Sequence, residues 1–410
     1  MASTERAATS RWQEWTELDR RVWQMAFARA VNTMGLSLVM TFLGIYVVET
    51  RGYPAWLYGL VALVANLVQS LSNAWAGNLS DRIGRRPLIT GSLLVRSVFI
   101  AALGAQIMLE APLWSLALNM VITSGLRGCF EPVAYALVSD VCRDDQRIAA
   151  FGLQRMGTNL GWAVGPALGG LLSLVISYGA VFFIAAGGMI LAAFVTMRIK
   201  DPVSATSQRT DEPVLRALGD AMRHRSLRML MAGTFLAALI VTQMYSTLSI
   251  YLTDELALTK ADVGVLYMVN GALVLLLQLP ALAVVRRFGI ATVLPWASLF
   301  DALGFALIGL ASGVPGGVLA MIVITSSEVM FAPAHQTAIA QVADPAHRGR
   351  TFGVVGFAQI AGVAAAPLVG GLLLDALGHH HLTMWALIAT IGIAQALCFV
   401  AFTRRVSSGA

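Results

Sequence analysis

Charge is scarce in this 410-residue chain: Asp, Glu, Lys and Arg together make up 12% of it, against 57% apolar residues. A soluble domain of that composition would expose large sticky patches, so the solvent has to be lipid. Cysteine is scarce as well. Cys129, Cys142 and Cys398 are the three present, and their spacing points to neither disulfides nor zinc. There is no phosphate-cradling glycine loop, nucleophile triad or metal cluster, which argues against an enzyme, a cofactor, and ATP-driven pumping by this chain alone. The opening residues lack the short apolar core and small-residue cleavage site of a signal peptide. Instead Trp12, Trp15 and Trp23 alternate with Glu14, Glu17, Arg20 and Arg21, as in an interfacial helix over 1–22 that feeds a first membrane span.

Long apolar runs are what the chain has in quantity. Mean hydropathy is +0.73. Roughly twelve segments reach the ~18 residues that cross ~30 Å of hydrocarbon. They fall near 23–48, 57–79, 87–109, 113–140, 147–174, 176–198, 229–252, 261–285, 289–312, 315–341, 349–376 and 382–404. Backbone groups at that depth find no water, so each segment is expected to be a helix. Basic residues are missing from one side. Only Arg51 and Lys260 follow odd-numbered spans, whereas Arg82, Arg85, Arg86, Arg143, Arg147, Arg286, Arg287, Arg348 and Arg350 follow even-numbered ones. The positive-inside rule then places both termini on the cytoplasmic side of a plasma or inner membrane. The net charge of +6 reads as a topology signal and calls for no nucleic-acid partner.

The longest polar interruption divides the chain into a cytoplasmic N-terminal segment (1–22), a six-span bundle (23–198), a cytoplasmic linker (199–228), a second six-span bundle (229–404) and a tail (405–410). An offset of 201 positions aligns Phe130 with Phe331, Pro132 with Pro333, Arg147 with Arg348, Gly161 with Gly362, Pro166 with Pro367, and Gly169-Gly170 with Gly370-Gly371. A parallel repeat of this kind builds two bundles around a midplane site.

Two motifs carry a resemblance. Between the second and third spans runs Gly77-Asn78-Leu79-Ser80-Asp81-Arg82-Ile83-Gly84-Arg85-Arg86, a dense charged turn whose second-half counterpart has Arg286 in place of Asp81. In the fifth span runs Gly161-x-x-x-Gly165-Pro166-x-x-Gly169-Gly170. The first resembles the G-x-x-x-D-R-x-G-R-R signature of the major facilitator superfamily of secondary transporters, and the second the glycine-proline run of its drug:proton antiporter branches. The resemblance implies an all-α membrane protein with twelve transmembrane helices in two six-helix bundles related by pseudo-two-fold symmetry. It implies alternating access, no cofactor, and a monomer whose partners are a small-molecule substrate, protons and the bilayer. It also implies that Asp81, held by Arg82 and its neighbours, latches the cytoplasmic side against the start of the eleventh helix. The plain alternative is a basic anchoring loop. The fifth-span run favours export by antiport; physically, small residues every four positions let helices approach closely and Pro166 bends the span, which ordinary packing would also explain. One departure stands out: where many relatives carry an arginine early in the fourth span, this chain has Leu116, Leu118, Asn119 and Met120 and places Arg127 deeper.

Ionisable residues inside spans are costly and usually functional. The first half carries Arg29, Arg96, Arg127, Arg155 and Glu131, the second Asp301, Glu328 and His335. Glu131 lies one turn from Arg127 and at a depth similar to Arg155. An acid that exchanges arginine partners can swing its pKa, as a proton carrier must. Glu131 is the first candidate for proton coupling, with Arg127 and Arg155 tuning it, and a permanent structural ion pair is the alternative. Asp301 and Glu328 are further candidates. Asn32, Asn159, Gln243 and Gln359 complete the expected polar lining, and His335 shares a face with Glu328. The run His379-His380-His381 is expected to be a solvated outer loop with no metal. The function expected is proton-coupled export of an amphipathic small molecule. The alternative is uptake or exchange of an anionic or zwitterionic metabolite bound by Arg29, Arg127 and Arg155.

Overall fold

A computed structural model describes residues 17–143, 146–200, 222–342, 348–377 and 379–408. Trp12, Glu14 and Trp15 of the expected interfacial helix, most of the 199–228 linker and the last residues of the tail lie outside the described residues. Every regular element among the described residues is helical. In chain order they are α1 (Arg20–Ile45), which runs into a π turn at Tyr46–Thr50, then α2 (Ala55–Ile83), α3 (Arg85–Met108), α4 (Leu113–Val141), α5 (Arg147–Leu172) and α6 (Tyr178–Met197). The second set is α7 (Arg225–Thr242), a 3-10 turn at Gln243–Tyr245, α8 (Thr247–Asp254), α9 (Lys260–Phe288), α10 (Ile290–Leu310), α11 (Gly313–Val342), α12 (Arg348–Leu377) and α13 (His381–Ser408). The seventh span is thus one crossing broken into α7, the 3-10 turn and α8.

Ten segments among the described residues are long and apolar enough to cross a bilayer by themselves. The two remaining long helices, α4 and α5, span 29 and 26 residues and carry Arg127, Glu131 and Arg155. Large apolar side chains stand exposed along the helices, among them Trp75, Trp114, Leu276 and Trp296. On helices of this length and hydropathy such side chains belong against lipid tails.

Helix ends follow local chemistry. Asp19 caps α1 by accepting from the Arg21 backbone N–H at 2.8 Å, and hydrogen bonding from the Arg21 guanidinium holds its carboxyl below the usual range. Thr259 and Asp262 form a reciprocal capping box at the start of α9. The α2–α3 and α9–α10 junctions are single residues, Gly84 at φ 96° and Gly289 at φ 72°, a backbone region that other L-residues enter only under strain.

By its internal packing the chain divides into two compact units, residues 1–40 with 65–207 and residues 41–64 with 208–410. In the first, α3 packs against α4 and α6, around a core that includes Val22, Met25, Leu93, Phe130 and Leu137. In the second, α10 packs against α11 and α13, α7 against α12 and α13, and α9 against α11. Leu230, Leu294, Ala334, Phe399 and Phe402 lie in that core. The α3–α4 and α3–α6 pairs of the first unit answer α10–α11 and α10–α13 of the second in repeat order.

Glycines set the closest approaches. A Cβ on Gly161 would lie 2.7 Å from Thr33 Cβ, and one on Gly165 would lie 2.7 Å from Met34 O and overlap Ser37 Oγ. Ser37 in turn donates to Gly161 O at 2.9 Å, so α5 lies directly on the α1 backbone. Gly169 and Gly170 continue the buried face. In the second unit Gly362 sits against Phe235 and Ala238 of α7, and Gly370 against Gln243 and Thr247. Replacing Gly165 by Leu should lower stability by ~1–3 kcal/mol through overpacking. Gly152→Ala, where a methyl group meets nothing within 4 Å, should be neutral or stabilising. Thermal unfolding of the detergent-solubilised variants checks the contrast.

Candidate functional site

The buried charges of the first unit gather around Arg29 on α1. Arg29 is 1% exposed and forms an ion pair, Nη1 to Oε2, with Glu131 on α4. Its guanidinium carbon stands 4.1 Å from the centroid of the Tyr135 ring, one turn after Glu131, and also faces Phe130. Arg96 on α3 is 1% exposed and donates from Nη1 to Asn32 Oδ1 at 3.1 Å. The Nε and Nη2 groups of both arginines have no hydrogen-bond partner among the described residues. Arg127 lies within charge reach of Glu131 and Arg96.

Glu131 therefore has a different ion-pair partner from the ones its sequence neighbourhood names. Arg127 stays near without forming the bond. Arg155 is exposed on α5, and Asn159, one turn on, is half-buried. The physical reason is directional. Helical spacing identifies neighbours on the same helix face, whereas Arg29 reaches Glu131 from another helix, 102 positions away in sequence.

In the second unit, α7, α10, α11 and α12 enclose a recess of about 170 Å³. Its wall includes Asp301 of α10, Glu328, Phe331 and His335 of α11, Thr234 of α7 and Gln359 of α12. Asp301 is 1% exposed, and its Oδ1 has no hydrogen-bond partner among the described residues. Glu328 accepts from Asn270 Nδ2 at 3.1 Å, and the same amide donates to Thr325 Oγ1 at 2.9 Å. His335 Nε2 and Thr234 Oγ1 lie 2.7 Å apart, while the His335 ring stacks on Phe331 with centroids 5.1 Å apart. The wall thus combines two acids with Thr234, Thr242, His335 and Gln359 and with apolar alanine, valine and phenylalanine side chains.

Gln243 has a different task from cavity lining. Fully buried at the break of the seventh span, it donates to Ala366 O at 3.0 Å and to Leu239 O at 3.2 Å, and accepts from Thr247 Oγ1 at 2.6 Å. Its amide meets one backbone carbonyl beside the 3-10 turn and one on α12. In the last outer loop, His379 lies 3.6 Å from Glu255, and His381 packs edge-on to Tyr251.

At the charged junction, Asp81 pairs with Arg85 at 2.8 Å. Arg85 also reaches Asp140 at the end of α4 at 3.0 Å and Ser80 Oγ at 2.6 Å. Gly77 O accepts from Ser80 at 2.7 Å. Gly84 makes the turn, and Arg82 and Arg86 stand exposed. Asp140, Tyr135 and Thr234 were not singled out by the sequence. Asp140 carried a signal in principle, as an acid at the same membrane level as the arginine run.

A chain whose described elements are all helical, with ten segments long and apolar enough to cross a membrane and charges buried inside each unit, has the architecture of a secondary transporter. The Major Facilitator Superfamily profile matches residues 25–327 and again 230–409. The chain belongs to that superfamily and is a multi-pass membrane transporter of small molecules. Among curated relatives, the uncharacterized MFS-type transporter YqjV of Bacillus subtilis (strain 168) is 25% identical, with 89% of each chain covered. The multidrug resistance protein MdtH of Aeromonas salmonicida (strain A449) is 28% identical over 92% of this chain and 94% of its own. Among solved structures, a variant of the nucleoside transporter NupG superposes with a TM-score of 0.80 at 15% identity, covering 93% of this chain and all of that one. A variant of the peptide transporter POT gives 0.75 at 16% identity, over 97% and 99%. At those identities the two structures establish the fold.

Removing one partner of a buried ion pair strands the other charge, at ~3–5 kcal/mol. Because Glu131 retains about a quarter of its exposure, Arg29→Ala and Glu131→Ala should each cost toward the lower end of that range. The double replacement Arg29→Met with Glu131→Leu should recover most of the loss. A double-mutant cycle on thermal stability in detergent measures the coupling.

Proposed function

We propose that the chain exports amphipathic cations from the cytoplasm in exchange for protons, and that Asp301 and Glu328 form the exchange site. The recess in the second unit carries this reading. A buried carboxyl with no lysine or arginine among the residues lining the recess, as at Asp301, is completed either by a proton or by the ammonium head of a substrate. One displaces the other, which is the elementary requirement of antiport. Phe331 and the neighbouring alanines and valines receive the apolar part, and the aromatic face adds attraction for a cation. At about 170 Å³ the recess holds a head group and one ring. Pockets that bury a whole drug-sized ligand run to ~300–1,000 Å³, so this is a subsite of a larger path.

On this reading Glu131, already neutralised by Arg29, is a standing ion pair of the first bundle (23–198), and the carrier role passes to the second bundle (229–404). Both termini lie in the cytoplasm and the membrane is the inner or plasma membrane, as the basic loops indicate. The fifth-span glycine-proline run supports export, and MdtH is a multidrug resistance protein by name. Asp81 serves the cytoplasmic gate, with Arg85 and Asp140 as its observed surroundings.

A second reading has its own observation. The unpartnered Nε and Nη2 groups of Arg29 and Arg96 are donors suited to an anionic metabolite. Nucleoside and peptide transporters share the fold.

Vesicles reconstituted with the full chain and given a pH gradient separate the readings. Lipophilic cations should trigger proton flux in the wild type. Asp301→Asn should reduce it about tenfold or more, the weight of one charge-assisted contact at ~1.5–3 kcal/mol. Glu131→Gln should lower the yield of stable protein yet keep flux per folded molecule. Loss of coupling in Glu131→Gln with its retention in Asp301→Asn would move the proton site to the first bundle. Flux triggered only by anions would establish the metabolite carrier.

A further inference from the structure

The start of α2 has no cap of its own. The residue before Ala55 is Pro54, which offers no side-chain oxygen; its carbonyl accepts from Leu57 N–H at 3.1 Å, and no neighbouring side chain caps the amides of Ala55 and Trp56. They are met from far away. Asp375, on the last turn of α12, accepts from Ala55 N–H at 2.9 Å with Oδ1 and from Trp56 N–H at 2.7 Å with Oδ2. One carboxylate thus spans two amides at the positive end of a helix, across 320 positions of sequence.

Small residues bring the two helices together. A Cβ on Gly371 would lie 2.5 Å from Ala55 O and 2.9 Å from Trp56 Cα. A Cβ on Gly59 would lie 2.7 Å from Leu368 Cα and overlap the Pro367 carbonyl. This contact is one reason why residues 41–64, first-half residues by sequence, pack with residues 208–410.

Comparison with the repeat makes the arrangement specific. The helix that answers α2 in the second half is α9, and it carries its own box, with Asp262 N–H donating to Thr259 Oγ1 at 3.2 Å and Thr259 N–H donating to Asp262 at 2.9 Å. At the position that answers Asp375, the first half has Leu174. Neither the missing cap nor the distant acid is inherited from the template.

We infer that Asp375 is a releasable cap of α2, a positioning residue that holds the outer ends of α2 and α12 together in one transport state and lets go in the other. The inference rests on the alternating-access reading above and names the outer counterpart of the Asp81 loop. Asp375 caps the outer start of α2, and Asp81 lies near the inner end of the same helix. The carboxylate is exposed, so water can replace the two amides and the contact can be broken reversibly. A side chain whose only task is to terminate a helix would come from the adjoining turn, as Thr259 does.

The test reads opening directly and needs no substrate. In the full chain, with Cys129, Cys142 and Cys398 replaced by serine, spin labels at Tyr53→Cys and His380→Cys report the separation of the α1–α2 turn from the end of α12 in lipid nanodiscs. Wild type should hold mainly the short distance. Asp375→Ala should raise the long-distance population roughly fivefold, the weight of one charge–dipole contact. Asp375→Asn should give an intermediate shift.

Pro54→Thr, copying Thr259, is then added to Asp375→Ala. Thermal stability should recover while the long-distance population persists. Recovery of the short distance along with stability would show Asp375 to be a cap and nothing more, and unchanged distances in Asp375→Ala would overturn the inference outright. Because the distances are read without cargo, a failure of the cation-export reading leaves this result standing or falling by itself.

Discussion

A backbone amide or carbonyl at bilayer depth has no water to bond, and the rest of this molecule is arranged around that constraint. It forces helices throughout, and it makes every interruption of a helix visible as a compensating side chain. The broken seventh span shows this most clearly. At the 3-10 turn, the Leu239 carbonyl is met by the Gln243 amide, which Thr247 holds by donating to its oxygen, and Gly370 clears the space they need. Where α1 meets α5, Ser37 bonds the Gly161 carbonyl and two glycines admit the neighbouring backbone. The same need for close approach explains why the motif that marks antiporters is written in glycine.

Buried charge follows a similar economy. In the first unit the arginines are satisfied partly by Glu131 and Asn32 and partly by aromatic faces, which supply negative potential without a proton to exchange. In the second unit the acids have amides and hydroxyls beside them and no guanidinium among the residues lining the recess. Equal and opposite solutions to desolvation leave the two halves with different chemistry despite a common template.

The spans, the repeat and the intramembrane charges were legible because each is written as a local run or a fixed offset in the sequence. Asp301, Glu328 and His335 were picked from that census and Gln359 from the polar residues expected to line a cavity, and the fold brings them to one wall. The partner of Glu131 was not legible. Its sequence neighbour Arg127 shares its helix face, but Arg29 arrives along a different helix, and crossing geometry is not recorded in spacing. Gln243 was read as cavity lining since a buried amide in a span looks the same whether it meets a ligand or a broken backbone. The role of Asp81 as a latch rests on family resemblance, with its observed partner being Arg85.

The single-residue junctions at Gly84 and Gly289 have a mechanical meaning. With one residue between helices there is no slack. A tilt of α2 passes straight into α3, and a tilt of α9 into α10, as in a bent lever whose elbow is a left-handed glycine. Longer loops would absorb such a motion. Any inserted residue at either elbow would uncouple the arms while leaving each helix intact, so these two short turns are the places where chain length itself is under mechanical constraint.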